Sequence, residues 1–247
     1  MTRRRFIANL WTPTTATLTG DQATHLARVL RAEPGQIYDV VANGFLHRAE
    51  IVSVSAGGSG QDSEVNFLLH EELESDAALP LHLLLAIFKF DHMEWAIEKA
   101  TELGIARITP IFARRTEKHL SQSAARRAER WRRIALEASK QSRRTTIPEI
   151  ADPILLKHAL EQEQSPIRIL LSETEQATTI TAALLNANSA NQETDTALAI
   201  GPEGGWTPEE MALFTQHNWQ PVTLGPRILR AETAAIAAIA IASTHLS

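Results

Sequence analysis

From about residue 81 onward, short unbroken apolar runs alternate with segments of helical spacing, and that alternation leaves few folds open. A strand that is apolar throughout has to be buried on both faces, and a helix between successive strands supplies the cover. The expectation is an α/β unit with a parallel sheet. Residues 81–87 form such a run, broken only by His82, and a helix over 91–103 follows in which Trp95, Ile97, Ala100 and Leu103 fall near helical spacing and Gly104 closes the end. A strand over 105–112 comes next, then a long helix over 122–142 with Trp131, Ile134, Ala135 and Ala138 along one side. The pattern continues with a helix over 153–163, a strand over 167–172 and a short helix over 178–186. Residues 187–194 are polar and read as loop. A strand over 197–200, a glycine loop, a helix over 208–217, a strand over 221–224 and a last helix from Glu232 complete the series.

The first part of the chain has a different texture. Residues 20–30 read as a helix with Asp21 near its start and His25, Arg28 and Arg31 on its polar side. Residues 37–41, the turn Asn43-Gly44 and residues 49–54 read as a hairpin, and 65–70 as a further strand. Residues 1–72 are therefore expected to form a small, mainly β domain, the acidic stretch 71–76 to be a linker, and 73–247 to form the α/β domain.

Charge narrows the partners. The chain carries a net charge of −5, yet 114–144 holds eleven basic residues against Glu117, Glu129 and Glu137, which makes that segment +8 and the remainder −13. Such a stripe is either a solvated helix face with local pairs or a polyanion-binding surface, and the shortage of carboxylates within it favours nucleic acid. With no cysteine there is no disulfide framework and no thiolate metal site or nucleophile. The nine histidines are scattered without a His-Glu-x-x-His pattern, so no metal is expected and a metal hydrolase is a weak competitor. No run approaches the length of a membrane span, and Asn9, Thr12 and Pro13 interrupt any apolar signal after the basic N-terminus. A cytoplasmic protein fits best.

Two loops stand at successive strand ends, where open α/β sheets bind ligands. The first is Gly201-Pro202-Glu203-Gly204-Gly205; alone it is either a tight turn or a place where backbone approaches a ligand, and it matches neither the dinucleotide nor the phosphate-loop spacing. The second runs from Leu224 and Gly225 through Ile228, Leu229 and Arg230 to Glu232, Thr233 and Ala234. Together they form one plausible pocket.

These two segments, with the stretch from Asp91 to Leu103 and with Gln141-Ser142-Arg143-Arg144 and Pro148, resemble the bacterial small-subunit ribosomal RNA uridine N3-methyltransferases, the RsmE family of the SPOUT superfamily. The likeness spans nearly the whole chain, and the paired C-terminal motifs in this order are highly specific. Arg4-Arg5-Phe6 and His25 with Val29-Leu30-Arg31 are similar to that family's PUA-like RNA-binding barrel. Where the family has Pro-Lys-Gly after the first strand of the α/β domain, this chain has Phe88-Lys89-Phe90, which keeps the lysine.

The resemblance implies a trefoil knot around the cofactor pocket, a homodimer, S-adenosyl-L-methionine as methyl donor and N3 of a uridine in 16S ribosomal RNA as acceptor. The alanine-rich stretch 234–242, apolar on all sides, suits either a dimer interface or a buried core helix. On this reading Ile200, Gly201, Pro202, Glu203, Gly204, Gly205, Leu224, Gly225, Ile228 and Leu229 hold the donor, with Leu171 and Ser172 near the third strand end and Thr233 as an anchor or cap. Arg230 is the candidate to stabilise the uracil anion, and Glu232 or Glu203 to orient it or take the proton, against capping or surface salt bridges for the glutamates. Arg3, Arg5, Arg28, Arg31, Lys89, Arg143 and Arg144 are the candidate phosphate contacts. Two rival functions remain: a noncatalytic RNA-binding protein on the same fold, and a related knotted methyltransferase acting on ribose or on tRNA.

Overall fold

The computed structural model describes residues 5–57, 62–74, 77–190 and 195–246. By packing, the chain divides into a first unit of residues 1–77 with 140–146 and a second of 78–139 with 147–247.

In the first unit the strands are β1 (Arg5–Ile7), β2 (Leu10–Trp11), β3 (Thr15–Thr19), β4 (Ile37–Ala42), β5 (Phe45–Ser55) and β6 (Glu64–Leu73). They form one sheet in the order β1-β4-β5-β6-β3-β2, antiparallel except for the β1–β4 pair. One stretch, 5–11, thus supplies both edge strands. The hairpin turn is built as its sequence requires, with Asn43 and Gly44 both at positive φ. Helix α1 (Gly20–Thr24) continues as a π-helical turn, His25–Val29, and places Ala23 and Leu26 against Phe6, Leu18, Val40, Ile51 and Phe67. Strand β6 runs through Leu73, so the start of the expected linker is sheet instead; Leu46 pairs with Leu73 and His47 with Glu72, and a ladder overrides the acidic composition.

The second unit contains β7 (Leu79–Ala86), α2 (Phe90–Glu102), β8 (Ile105–Phe112), α3 (Lys118–Gln141), β9 (Glu149–Ile150), β10 (Ile154–Leu155), α4 (Leu156–Gln162), β11 (Ile167–Leu171), α5 (Ile180–Ala190), β12 (Thr196–Ile200), α6 (Pro208–Gln216), β13 (Gln220–Val222) and α7 (Ala231–Leu246). All pairings in its sheet are parallel, in the order β10-β8-β7-β12-β11-β13, with β9 also on β8. Period-two alternation feeds two cores. Leu81, Leu83, Leu85, Leu198 and Ile200 face α2, α3, α5 and α7, while Leu84, Ala86, Ala197 and Ala199 face α4 and α6. On α3 the buried positions Leu120, Ala124, Ala128, Trp131, Ala135 and Ala138 recur at helical spacing. Helix α5 extends to Ala190, so the first part of the expected loop over 187–194 is helical; residues 191–194 lie outside the described residues. Helix α7 packs on α2 and α5, yet Ile236, Ala237, Ala240 and Ile241 stay partly exposed in the single chain.

Candidate active site

The order of the sheet reverses direction between β7 and β12: the chain leaves β7 for β8 on one side, while β11 and β13 lie on the other. Ligand clefts in open sheets form at such a point, outside the carboxyl ends of the strands. A cleft of about 1000 Å³ lies there, bounded by the segments that follow β7, β8, β11, β12 and β13.

The glycine loop after β12 is shaped by close approach. A Cβ on Gly201 would stand 3.1 Å from the Trp206 ring, and Gly205 sits at φ +70° with its N–H donating to the Pro202 carbonyl at 2.8 Å. Trp206 Nε1 in turn donates to the Leu171 carbonyl at 3.2 Å and ties this loop to the end of β11. Arg115 Nη1 donates to the Gly204 carbonyl, and Lys89 Nζ is 3.7 Å from Glu203. Beyond the loop, Thr207 and Glu210 form a capping box that starts α6, and the same Glu210 accepts from the Arg114 N–H at 2.7 Å.

The second loop, after β13, is held by Thr223, whose Oγ1 accepts from the Gly225 N–H at 3.1 Å. It passes Ile228, which is 81% exposed, and enters α7 at Arg230, whose carbonyl accepts the first helical bond from Ala234 at 2.8 Å. On the third side Glu175 accepts from the Ala177 and Thr178 amides, and those bonds hold its carboxyl below the usual range.

Leu171, Ser172, Ile200, Gly201, Pro202, Glu203, Gly204, Gly205, Leu224, Gly225, Ile228, Leu229, Arg230 and Lys89 all line this one cleft. Thr233 is exposed on α7 and is not among the lining residues. Glu232 is enclosed in the first turn of α7, with its Oε1 3.3 Å from His92 Nδ1. His92, Arg115 and Trp206 also line the cleft. Sequence reasoning missed them because each sits in an ordinary helical or loop context.

Apolar side chains, glycine backbone and an open cationic rim suit a flat heteroaromatic group joined to a zwitterionic tail, and the volume is at the upper end for a small-molecule site. Among the described residues no cluster of His, Asp or Glu could hold a metal ion, and no helix is long and apolar enough to cross a membrane.

The other candidate contacts for nucleic acid belong to the first unit, except Arg3, which lies outside the described residues. Arg5 Nη1 donates to the Arg143 carbonyl, and Arg143 sits at φ 61°. Arg28 spends its guanidinium on the Ala56 and Gly57 carbonyls at 2.6–3.0 Å. Arg31 has φ 49° at the helix end, and burial lowers the Arg144 guanidinium to about 10, so it stays charged near neutrality. The basic stripe is better paired than its composition suggests. Arg130 grips Glu94 with two bonds of 2.6 and 2.7 Å, Arg127 reaches the same carboxylate at 3.2 Å, and Arg132 bonds Glu129 and Asp152. Glu94 and Asp152 come from outside the segment, so a count within it leaves these pairs out.

A family model described as an RNA methyltransferase domain matches residues 75–243. The chain is 34% identical over 229 residues, 92% of its length and 72% of the relative's, to a ribosomal RNA small subunit methyltransferase E of Synechocystis sp.. It is 32% identical to the protein of that name from Bacillus subtilis, covering 93% of this chain and 90% of the relative. Among solved structures, a putative methyltransferase from Legionella pneumophila in complex with S-adenosylmethionine aligns with TM-score 0.79 at 29% identity, over 99% and 98% of the two chains. A ribosomal RNA small subunit methyltransferase E from Neisseria gonorrhoeae bound to S-adenosylmethionine aligns with TM-score 0.79 at 27% identity, over 98% of each chain.

Proposed function

Because the chain belongs to the ribosomal RNA small subunit methyltransferase E family, we propose that it methylates N3 of a uridine in 16S ribosomal RNA with S-adenosyl-L-methionine as donor. The observation that carries this reading is the convergence of loops 201–205 and 224–230 on one cleft with Arg230 at its rim. The donor supplies an activated methyl group. The protein's task is then to hold acceptor and donor in line, a contribution that can reach roughly 7–11 kcal/mol.

Leu171, Ile200, Leu224, Ile228 and Leu229 give the apolar surface for the adenine, and the backbone of 200–205 and 224–229 binds the polar parts. A uridine N3 is a weak nucleophile until its proton leaves, so a cation against the uracil carbonyl oxygens accelerates the step. Arg230 takes that role. Glu203, exposed at the rim, is the carboxylate that accepts the proton, and Glu232 serves the site by position from behind the cleft.

N3 is a pairing-edge atom, so the target uridine is unpaired or flipped. Residues 1–72 act on this reading as a PUA-like RNA-binding barrel. Residues 73–247 form the methyltransferase domain, with its C-terminal segment threaded as a trefoil knot. The partly exposed side of α7 supports a homodimer, and ribosomal RNA as substrate supports a cytoplasmic setting.

The test is an Arg230→Ala variant assayed on small-subunit particles and on free 16S RNA. It should bind S-adenosylmethionine by calorimetry within about twofold of wild type while methyl transfer falls on the order of 10²-fold or more. Undiminished turnover would remove Arg230 from the mechanism, and mapping the modified base decides between uridine N3 and a ribose or tRNA target.

A further inference from the structure

Glu232 presents a problem that the donor cleft alone does not solve. Its side chain is 4% exposed, one oxygen is 3.3 Å from His92 Nδ1, and the other has no hydrogen-bond partner. Among the described residues no other cation comes within ion-pair distance of it. An ionised carboxylate withdrawn from water is costly unless a counter-charge stands against it. His92 is that counter-charge only when its ring carries both protons.

The placement of the two groups gives the pair its consequence. His92 is in the first turn of α2 and lines the cleft; Glu232 is in the first turn of α7, immediately after Arg230 and Ala231. The pair therefore ties the beginnings of two helices together behind the rim. The atoms are within ion-pair distance but not aligned for a hydrogen bond. The start of α7 favours the negative Glu232, whereas the start of α2 disfavours a positive His92. Asp91 Oδ2, 3.8 Å from His92 Nε2, offsets the second effect. The other charged groups facing this space are Lys89, Arg115, Arg227 and Arg230 with Glu173, Glu175 and Glu203. Among the described lining residues His92 is the only histidine, the side-chain type whose charge changes near neutral pH.

We infer that His92, through its ion pair with buried Glu232, is a positioning residue that fixes the start of α7, and with it Arg230 and loop 224–229, for donor binding. The inference rests on the donor-cleft reading above. With the ring protonated, α7 begins in the binding geometry. When the proton is lost as pH rises, Glu232 is left without compensation and the first turn loosens.

Calorimetric titration of the intact protein with S-adenosylmethionine between about pH 6 and 9, spanning histidine titration, tests this. Affinity should fall with rising pH by about five- to tenfold, the lower part of ordinary coupling. His92→Lys, with a charge that persists across the range, should bind as wild type does at low pH and lose most of the pH dependence. His92→Asn should bind weakly throughout, and Glu232→Gln should also flatten the profile. Circular dichroism checks that each variant folds; if His92→Asn does not, His92→Lys decides alone. A His92→Lys profile that keeps the wild-type slope, or wild-type affinity and slope in His92→Asn, would overturn the inference. Absence of donor binding by wild type at every pH would overturn the donor-cleft reading and this inference with it.

Discussion

Gly201 shows how little room the site leaves. A methyl group there would meet the Trp206 ring at 3.1 Å and push it off the Leu171 carbonyl, loosening the tie between two cleft loops. Gly201→Ala should therefore weaken donor binding by about tenfold, or ~1.4 kcal/mol, as read by calorimetry, with the fold intact by circular dichroism. Wild-type affinity would mean that the ring moves aside freely. A second residue-scale effect lies away from the cleft. His82 bonds Glu163 at 2.5 Å and Thr109 at 2.8 Å. Burial alone would raise the Glu163 carboxyl, but the His82 bond and the Ser165 amide outweigh it and hold it at about 2 instead of 4.5. A depressed carboxyl stabilises the fold above its unfolded value, and that contribution is lost as pH falls toward about 2. Glu163→Gln should lower Tm at neutral pH by roughly 3–8 °C and flatten the acid side of the stability profile; an unchanged profile would exclude the pair as its source. Arg230 and the glycine loop were legible from their order and place at strand ends. His92 was not, because a histidine on an amphipathic helix looks the same whether its neighbour is water or a distant buried glutamate.

Elements of the α/β unit were readable where a strand is covered on both faces, since β7 and β12 are apolar except for His82 and Thr196. The short edge pieces β2, β9 and β10 left no trace in the sequence, because two-residue strands are fixed by what they pair with. Helix α3 was found but its outside ion-pair partners were not, for Glu94 and Asp152 arrive from elsewhere in the chain. RNA affinity is therefore better sought at the turn that follows α3. Arg143 is exposed there, and Arg144 stays cationic despite burial. Reversing both charges should weaken RNA binding and reduce the slope of log affinity against log salt by about 0.7–0.9 per lost phosphate contact. Binding that keeps its affinity and slope would place the contact elsewhere.

At the scale of the molecule, the parallel α/β class followed from alternation, whereas a trefoil thread and a dimer leave no periodic signal and entered only through resemblance. The uncovered side of α7 bears on the second. Sedimentation should give about twice the 27.2 kDa chain mass, and Ile236→Glu should shift the protein toward monomer; a monomeric wild type would count against a homodimer. The division of the chain has a temporal consequence. Residues 140–146 pack with the first unit, although they are made after β7, α2, β8 and most of α3. An emerging N-terminal sheet therefore has to wait, its last contacts still unsynthesised, while residues 78–139 of the following unit leave the ribosome. Order of synthesis and order of completion differ in this chain, and a fragment ending at residue 77 should be less stable than the same strands in the whole protein.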